Sequence, residues 1–364
     1  MTAMYHATLC AIAKDEDPFL VEWTEFHLRL GFEHIYIFDN NSAVPIRGTL
    51  REFVSRGLVT VLDWPLTRHQ QLSAYAAALR EYGPASHWMA FIDIDEFIVP
   101  RRHADIRPML DAYNEFGGLA VHWKIFGSGG LSHRPRRGVA RSYTGVIDRN
   151  PHIKSIVRPA AVLSVASPHH FRYAPGCWCV NEDKVPVLYH QSYHISELVQ
   201  VNHYYYKSHQ DFCLKMARGM ATQGKDGSVK RRDSEFEAFA RQHSIKGTAD
   251  DAILRLLALQ AGKDARPSPR DTENTPRPDR TDAAADVSCD GSTDATESPE
   301  TWAGAARKLL AAGRPDPAFP YITRLLREPA PCSQEEGYRC LYAYYLAKGR
   351  PEAAAAIAAT ATEE

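Results

Sequence analysis

Between residues 7 and 97 the chain alternates short apolar runs of strand length with longer stretches whose apolar residues recur at helical spacing. "ATLCAIAK" has the length and composition of a buried strand. In "DPFLVEWTEFHLRLG", Asp17 is placed to cap a helix and Pro18 suits its first turn. Phe19, Leu20, Trp23, Phe26 and Leu30 form one apolar face, and Gly31 stops it. The pattern then repeats: "HIYIFDN" as strand, a short helix over about 46 to 56, "LVTVLDW" as strand, "RHQQLSAYAAALREYG" as helix and "HWMAFIDIDEF" as strand. This order implies right-handed βαβ crossovers and a mostly parallel sheet flanked by helices, an α/β fold. Ligands of such sheets bind outside the carboxyl ends of the strands. Asp15 with Glu16, Asp39 with Asn40, Asp63, and the run Asp93 to Glu96 therefore fall along one rim.

Within "FIDIDEF", strand alternation would put Asp93 and Asp95 on one side, with Ile94 and Glu96 on the other. Two carboxylates that close resist joint ionisation unless a cation sits between them. Mg²⁺ or Mn²⁺ suits the pair and keeps open positions for substrate phosphates, whereas the plain alternative is a polar strand end. In "IYIFDNNS", Asp39 follows a strand directly and can accept hydrogen bonds from a ribose or base. An Asx turn made by Asp39, Asn40 and Asn41 explains the same residues equally well. No Gly-x-Gly-x-x-Gly follows the first strand, so the dinucleotide fingerprint is absent. In "VNHYYYKSHQDFCLKMARG", His203 offers a nitrogen ligand, and Lys207 and Lys215 offer positive charge for a diphosphate. A lone histidine is more often structural.

Beyond about residue 117 the regularity weakens. "GGLAVHWKIFGSGG" reads as a strand running into a glycine loop, "HIKSIVRPAAVLSVASPHHF" and "VPVLYHQSYH" read as further strands, and "ISELVQVNHYYYKSHQDFCLKMARG" ends in a helix. This half is expected to carry an acceptor or substrate site. Residues 263–300 contain no aromatic residue and no Leu, Ile or Met, too little apolar surface to offset ordering entropy, and so read as a disordered linker. Residues 301–364 are helical and Ala-rich, with Gly-Arg-Pro at Gly313 and at Gly349, 36 positions apart. They read as a small tetratricopeptide-like tail or a plain helical appendage, available for protein or peripheral membrane contact. The expected division is 1–262, 263–300 and 301–364.

A net charge of -1 argues against a general nucleic-acid binder. Seven scattered cysteines suit free thiols in a reducing compartment. No run approaches 18 apolar residues, and "MTAMYHATLC" lacks the basic start and apolar run of a secretion signal; the expected location is cytoplasmic, with peripheral membrane association left open.

The segments "CAIAKDEDPFLVEWTEFHLRLGFEHIYIFDNNS", "WMAFIDIDEFIVP", "HWKIFGSGG", "KSIVRP" and "VNHYYYKSHQDF", in this order, resemble glycosyltransferase family 92 and the related family 2-like bacterial enzymes of GT-A fold, over roughly residues 5 to 220. The resemblance implies a GT-A-type, Rossmann-like sheet and a nucleotide-diphosphate sugar donor, a UDP-sugar above all. It also implies a Mn²⁺ or Mg²⁺ ion that bridges Asp95, with Asp93 beside it, to the diphosphate. Glu16, Asp39, Asn40, Asp93 and Lys207 would then contact the donor, and His203 would complete the metal shell with Asp93 and Asp95. The family often has Lys-Asn-Glu where this chain has "KDE", with Asp15 in the Asn position.

Inverting transfer onto a glycan or lipid-linked acceptor would also need a base. Glu182 and Asp183 of "CVNEDKV" are candidates, against the reading of that segment as a hydrophilic turn. Trp123, Gly127 and Ser128 of "HWKIFGSGG" are candidates for the acceptor pocket, with Trp123 equally suited to the core. A haloacid-dehalogenase-like phosphatase also uses Asp-x-Asp with Mg²⁺. Its motif wants Thr or Val two places after the second Asp and lies near the first strand; here Phe97 holds that place and three strands precede it. A non-enzymatic binding protein would account for the helical tail and leave the carboxylate rim without a purpose.

Overall fold

The computed structural model of the chain describes residues 4–66, 70–148, 151–187, 190–192, 198–218, 247–264, 298–314, 318, 321–322, 325 and 331–347. The chain divides into two compact units, Met1–Leu257 and Ala258–Glu364. The first unit opens with strands β1 (Tyr5–Ala13), β2 (His34–Asp39), β3 (Val59–Asp63) and β4 (Ser86–Phe91). Between them lie α1 (Asp17–Arg29), the short α2 (Ile46–Thr49) and α3 (Arg51–Ser55), and α4 (Gln70–Glu81). The four strands are parallel, in the order β3-β2-β1-β4.

Both faces of this block are covered, which is why its strands are apolar at successive positions. Leu9, Ala11, Ile35, Ile37 and Ala90 pack toward Trp23 and Phe26 of α1. Cys10, Tyr36, Phe38, Met89 and Phe91 pack toward Ala74, Tyr75 and Ala78 of α4. The sheet is thus wound outward from β1 in both directions, and the order reverses between β1 and β4. In open α/β sheets that switch point is where a crevice forms at the carboxyl ends.

The α1 helix begins as its sequence suggests, with one difference: its N-cap is Glu16, and Asp17 and Pro18 lie in the first turn. Gly31, at φ 108°, ends it in a conformation that costs a side-chain-bearing residue strain. Two side chains then tie α1 to the next strand, β5 (Glu96–Pro100). Trp23 Nε1 donates to Glu96 O at 2.8 Å. The buried His27 lies 2.8 Å from Trp23 O through Nδ1 and receives the Ile98 N–H on Nε2 at 3.3 Å.

"FIDIDEF" is not one strand. β4 ends at Phe91, the Glu96 N–H bonds to Asp93 O in a turn, and β5 starts at Glu96. The alternation expected of Asp93, Ile94 and Asp95 does not apply inside a turn.

The second half of this unit holds α5 (Arg107–Asp111), β6 (Gly118–Phe126), α6 (Val139–Ser142), β7 (Gly145–Asp148), β8 (Ile153–Val157), β9 (Val162–Val165) and β10 (Phe171–Tyr173). They are followed by β11 (Cys179–Val180), β12 (Pro186–Val187), β13 (Val199–His203), α7 (His209–Arg218) and β14 (Thr248–Ala249). β8 joins the parallel block by running antiparallel to β4, and β6 is antiparallel to β8. β6 is long enough to serve two neighbourhoods: Gly118–His122 pair with β8, and Trp123–Ile125 pair in parallel with β13. β13 also pairs antiparallel with β5, so that His203 lies opposite Glu96. This pairing carries β13 and the start of α7 to the turn at Asp93–Glu96.

In the second unit, helices Pro299–Ala311 and Pro331–Ala347 are linked by an ion pair between Arg307 and Glu336. Gly313, at φ 68°, follows the first of them. The second Gly-Arg-Pro, at Gly349, and nearly all of the segment 263–300 lie outside the described residues. Among the described residues no helix is long and apolar enough to cross a membrane.

Candidate active site

At the end of β4 two lysines divide the acidic turn between them. Lys154, on β8 and 1% exposed, places Nζ 2.9 Å from Asp93 Oδ2 and 3.3 Å from Glu96 Oε2. Asp93 Oδ1 accepts from Gln71 Nε2 of α4 at 2.7 Å, and the Asp93 N–H donates to Glu96 Oε2 at 2.9 Å. Burial lifts the Glu96 carboxyl well above its usual range; Lys154 opposes this, and Asp93 and Asp95 add to it. Burial disfavours the Lys154 ammonium, but Asp93 and Glu96 more than restore it, so the lysine stays charged.

Asp95 faces the other way. Its Oδ2 accepts from Lys215 Nζ of α7 at 2.6 Å, and its Oδ1 lies 3.7 Å from His203 Nε2. Burial works against ionising Asp95, yet Lys215 and then His203 hold its carboxyl well below the usual range. His203 is itself lowered by burial, against the pull of Asp95, which keeps the imidazole neutral. Its Nδ1 is buried with no hydrogen-bond partner among the described residues. Trp123 stands beside it, with ring centroids 4.3 Å from His203, 5.3 Å from His152 and 5.1 Å from His169.

The structure thus brings Asp93, Asp95, His203 and Trp123 together. It also adds Lys154, Gln71 and Glu96, which sequence reasoning did not assign to the site. A signal existed for Lys154: a lone ammonium inside the apolar run "HIKSIV" must find a carboxylate if it is buried. Nothing local marks Gln71. Glu96, expected on the opposite face of a pleat, belongs instead with Asp93.

Glu16 and Lys207 form a neighbouring pair. Lys207, held at φ 49°, puts Nζ 3.5 Å from Glu16 Oε2 and 3.9 Å from the centre of the Phe19 ring. On the β2 side, Asp39 accepts the Ser42 N–H at 2.9 Å and the Ile46 N–H at 3.1 Å, a turn that also caps α2. Asn40 Nδ2 donates to Trp64 O at 2.7 Å and Leu66 O at 2.8 Å, so its amide braces the loop after β3. Asp15 adopts φ 51° and accepts the Ala43 N–H at 2.7 Å. Asn and Asp both tolerate that left-handed backbone, so Asp in place of the family's Asn preserves the loop.

Other expected residues lie elsewhere. Glu182 Oε2 accepts the Leu198 and Val199 N–H groups at 2.8 and 3.2 Å, and Asp183 is exposed in the adjoining turn. They sit at the start of β13, four residues and roughly 13 Å of strand from His203. The reason is pairing: β11 adds onto the first residues of β6, not onto those around Trp123. Gly127 donates its N–H to Gly145 O at 3.0 Å, and the buried Ser128 accepts the Gly130 N–H at 3.3 Å. Their loop continues to Leu131 and Ser132, whose carbonyls accept the His209 and Gln210 N–H groups, so it braces the start of α7.

Asp95 and His203 suit the hard cation that the resemblance implies. They present a carboxylate oxygen and a neutral imidazole nitrogen 3.7 Å apart, against roughly 3 Å for ligands at right angles on 2.0–2.1 Å bonds. Both oxygens of Asp93 are engaged, by Gln71 and Lys154. Among the described residues no group of three or more His, Cys, Asp or Glu is arranged to hold an ion, so a diphosphate and water would have to supply the remaining ligands.

Residues 8–242 match the family model of glycosyltransferase family 92. A glycosyltransferase family 92 protein of Ricinus communis is 30% identical over 221 residues, covering 59% of this chain and 38% of that protein. One of Oryza sativa subsp. japonica is 31% identical over 222 residues, covering 59% of this chain and 35% of that protein. The chain therefore spans little more than a third of the length of these curated relatives.

Among solved structures, S. aureus TarS in complex with UDP-GlcNAc aligns at 12% identity and TM-score 0.34, over 94% of this chain and 90% of that one. A mannosyltransferase of Pyrobaculum calidifontis in complex with GDP-Man and Mn²⁺ aligns at 16% identity and TM-score 0.26, over 33% of this chain and 36% of that one. Both likenesses are too slight to carry site residues across. The family match, by contrast, covers more than half of the chain and runs from β1 past α7, and the protein belongs to glycosyltransferase family 92.

Proposed function

We propose that the protein transfers a sugar from a nucleotide-diphosphate donor, a UDP-sugar, to a hydroxyl of a glycan or lipid-linked acceptor, with Mn²⁺ or Mg²⁺ held by Asp95 and His203. One observation carries the reading: a neutral imidazole, an ionised buried carboxylate and the Lys215 ammonium meet beside Trp123 at the turn that follows β4. The bound ion would supply electrostatic stabilisation of the leaving diphosphate. Lys215 and Lys207 add positive charge on the same rim, Trp123 offers an aromatic face to a sugar ring, and Asp93, oriented by Gln71 and Lys154, offers a carboxylate to sugar hydroxyls. We place this chemistry in residues 1–262 and protein or membrane contact in the tail 301–364.

Inversion at the anomeric carbon is part of the proposal. Of the groups beside Trp123, His169 gives its Nδ1 proton to Ile153 O at 2.9 Å, which leaves Nε2 as an acceptor. Burial, aided by Lys154, takes that imidazole down to about 3, so it suits hydrogen bonding to a hydroxyl better than removal of its proton. The family match sets the phosphatase reading aside.

The test is thermal stabilisation by UDP, UDP-sugars and GDP-sugars with and without Mn²⁺ or Mg²⁺. A UDP-sugar should raise the melting temperature only with metal, and Asp95→Asn should abolish the rise. No metal-dependent shift across the panel would overturn the reading.

A further inference from the structure

Away from the acidic turn, a cavity of about 550 Å³ opens between α1 and the loop from β6 to α6. Five arginines line it, Arg29, Arg134, Arg136, Arg137 and Arg141, against two carboxylates, Glu22 and Glu25. One of those carboxylates is already spent: Glu22 accepts the Val139 and Ala140 N–H groups at 2.7 and 3.0 Å. The loop is held at both ends of its basic stretch. At one end Arg134 pairs with Asp211 at 2.7 Å, its guanidinium 4.9 Å over the Phe19 ring. At the other, Glu22 closes on Gly138, where an added Cβ would fall 2.5 Å from Glu22 Oε1.

Between these anchors the exposed Arg136 and Arg137 point no charge at any carboxylate, and neither does the exposed Arg141; none of the three has an ion pair among the described residues. Clustered like charges repel, and on a chain of net charge -1 this concentration is not a by-product of general basicity. An anion relieves it, and guanidinium matches phosphate by paired hydrogen bonds. The floor is apolar: Phe19 and Phe26 are buried there, and Val21 is 42% exposed. Phe19 is also the partition from the donor rim, since Lys207, paired to Glu16, lies 3.9 Å from the same ring.

We infer that this groove seats a phosphorylated amphiphile, its phosphate on the arginine loop and its apolar chain over Val21 and Phe19. That is the chemistry of a lipid-linked acceptor, so its biological sense rests on the transferase reading. Its test does not.

Binding of dodecyl phosphate below its micellar concentration is measured by calorimetry on the full chain, with dodecyl maltoside and inorganic phosphate as controls. Dodecyl phosphate should saturate one site about tenfold more tightly than either control, and Arg136→Glu with Arg137→Glu should remove that advantage. The metal-dependent nucleotide shift of the same variant should be unchanged, which shows that it is folded. Equal binding by the variant, or dodecyl maltoside or inorganic phosphate binding as tightly as dodecyl phosphate, would overturn the inference. Loss of every nucleotide shift in the parent protein, with amphiphile binding intact, would sink the transferase reading and leave the groove.

Discussion

At the scale of single residues the decisive group is Lys215. Its ammonium lies 2.6 Å from Asp95 Oδ2 and 3.2 Å from Tyr205 O, on a carboxylate that the proposed cation would share. Lysine and metal should therefore compete. Lys215→Met is expected to tighten Mn²⁺ binding about tenfold, Lys215→Arg to leave it near the parent value, and Asp95→Asn to abolish it, as read from free Mn²⁺ by electron paramagnetic resonance. Equal affinity in Lys215→Met and the parent would show that the ammonium is no competitor. Part of this site was legible in the sequence: Asp93 and Asp95 stand out for their chemistry, whereas His203 was assigned through the family resemblance and Trp123 suited the core equally well. The partners of the two carboxylates were not legible. Lys154 lies 61 positions from Asp93 and Lys215 lies 120 from Asp95, distances over which no local pattern carries information.

At the scale of elements, α1 shows how a helix legible from its apolar face is docked by details that are not. Its face was readable from Phe19, Leu20, Trp23, Phe26 and Leu30, all of them buried. His27 was not, yet it is buried between Trp23 O and the Ile98 N–H and has its pKa lowered by burial to about 3. Such a group binds its proton more readily in the unfolded chain, where the ordinary value is about 6.5. Its contribution is present above pH 6.5 and is lost as the pH falls toward 3. From His27 alone the unfolding free energy should drop by about 2 kcal/mol between pH 7 and pH 5. His27→Gln should flatten urea-denaturation stability across that interval by this amount; an unchanged slope would place the proton elsewhere. The break after β4 was illegible for a related reason. The apolar alternation of "FIDIDEF" continues through the turn, and only the pairing of β5 with β13 ends the strand at Phe91.

At the scale of the whole molecule, the proposed division predicts that a chain ending at residue 262 keeps the metal-dependent nucleotide shift, measured by the same thermal assay. Failure of that shorter chain to fold would contradict the boundary. The sequence by itself determined the α/β order and the acidic rim, because periodicity, caps and turn residues act over a few positions; the outward winding from β1 came only from strand pairing. Tertiary structure alone decided which rim residues meet. The long β6 serves β8 and β13 along different halves, which sends His203 to Asp95 and leaves Glu182 and Asp183 at the far end of β13. Strand register across long chain separations is a property of packing, so that choice could be seen only once the strands were paired.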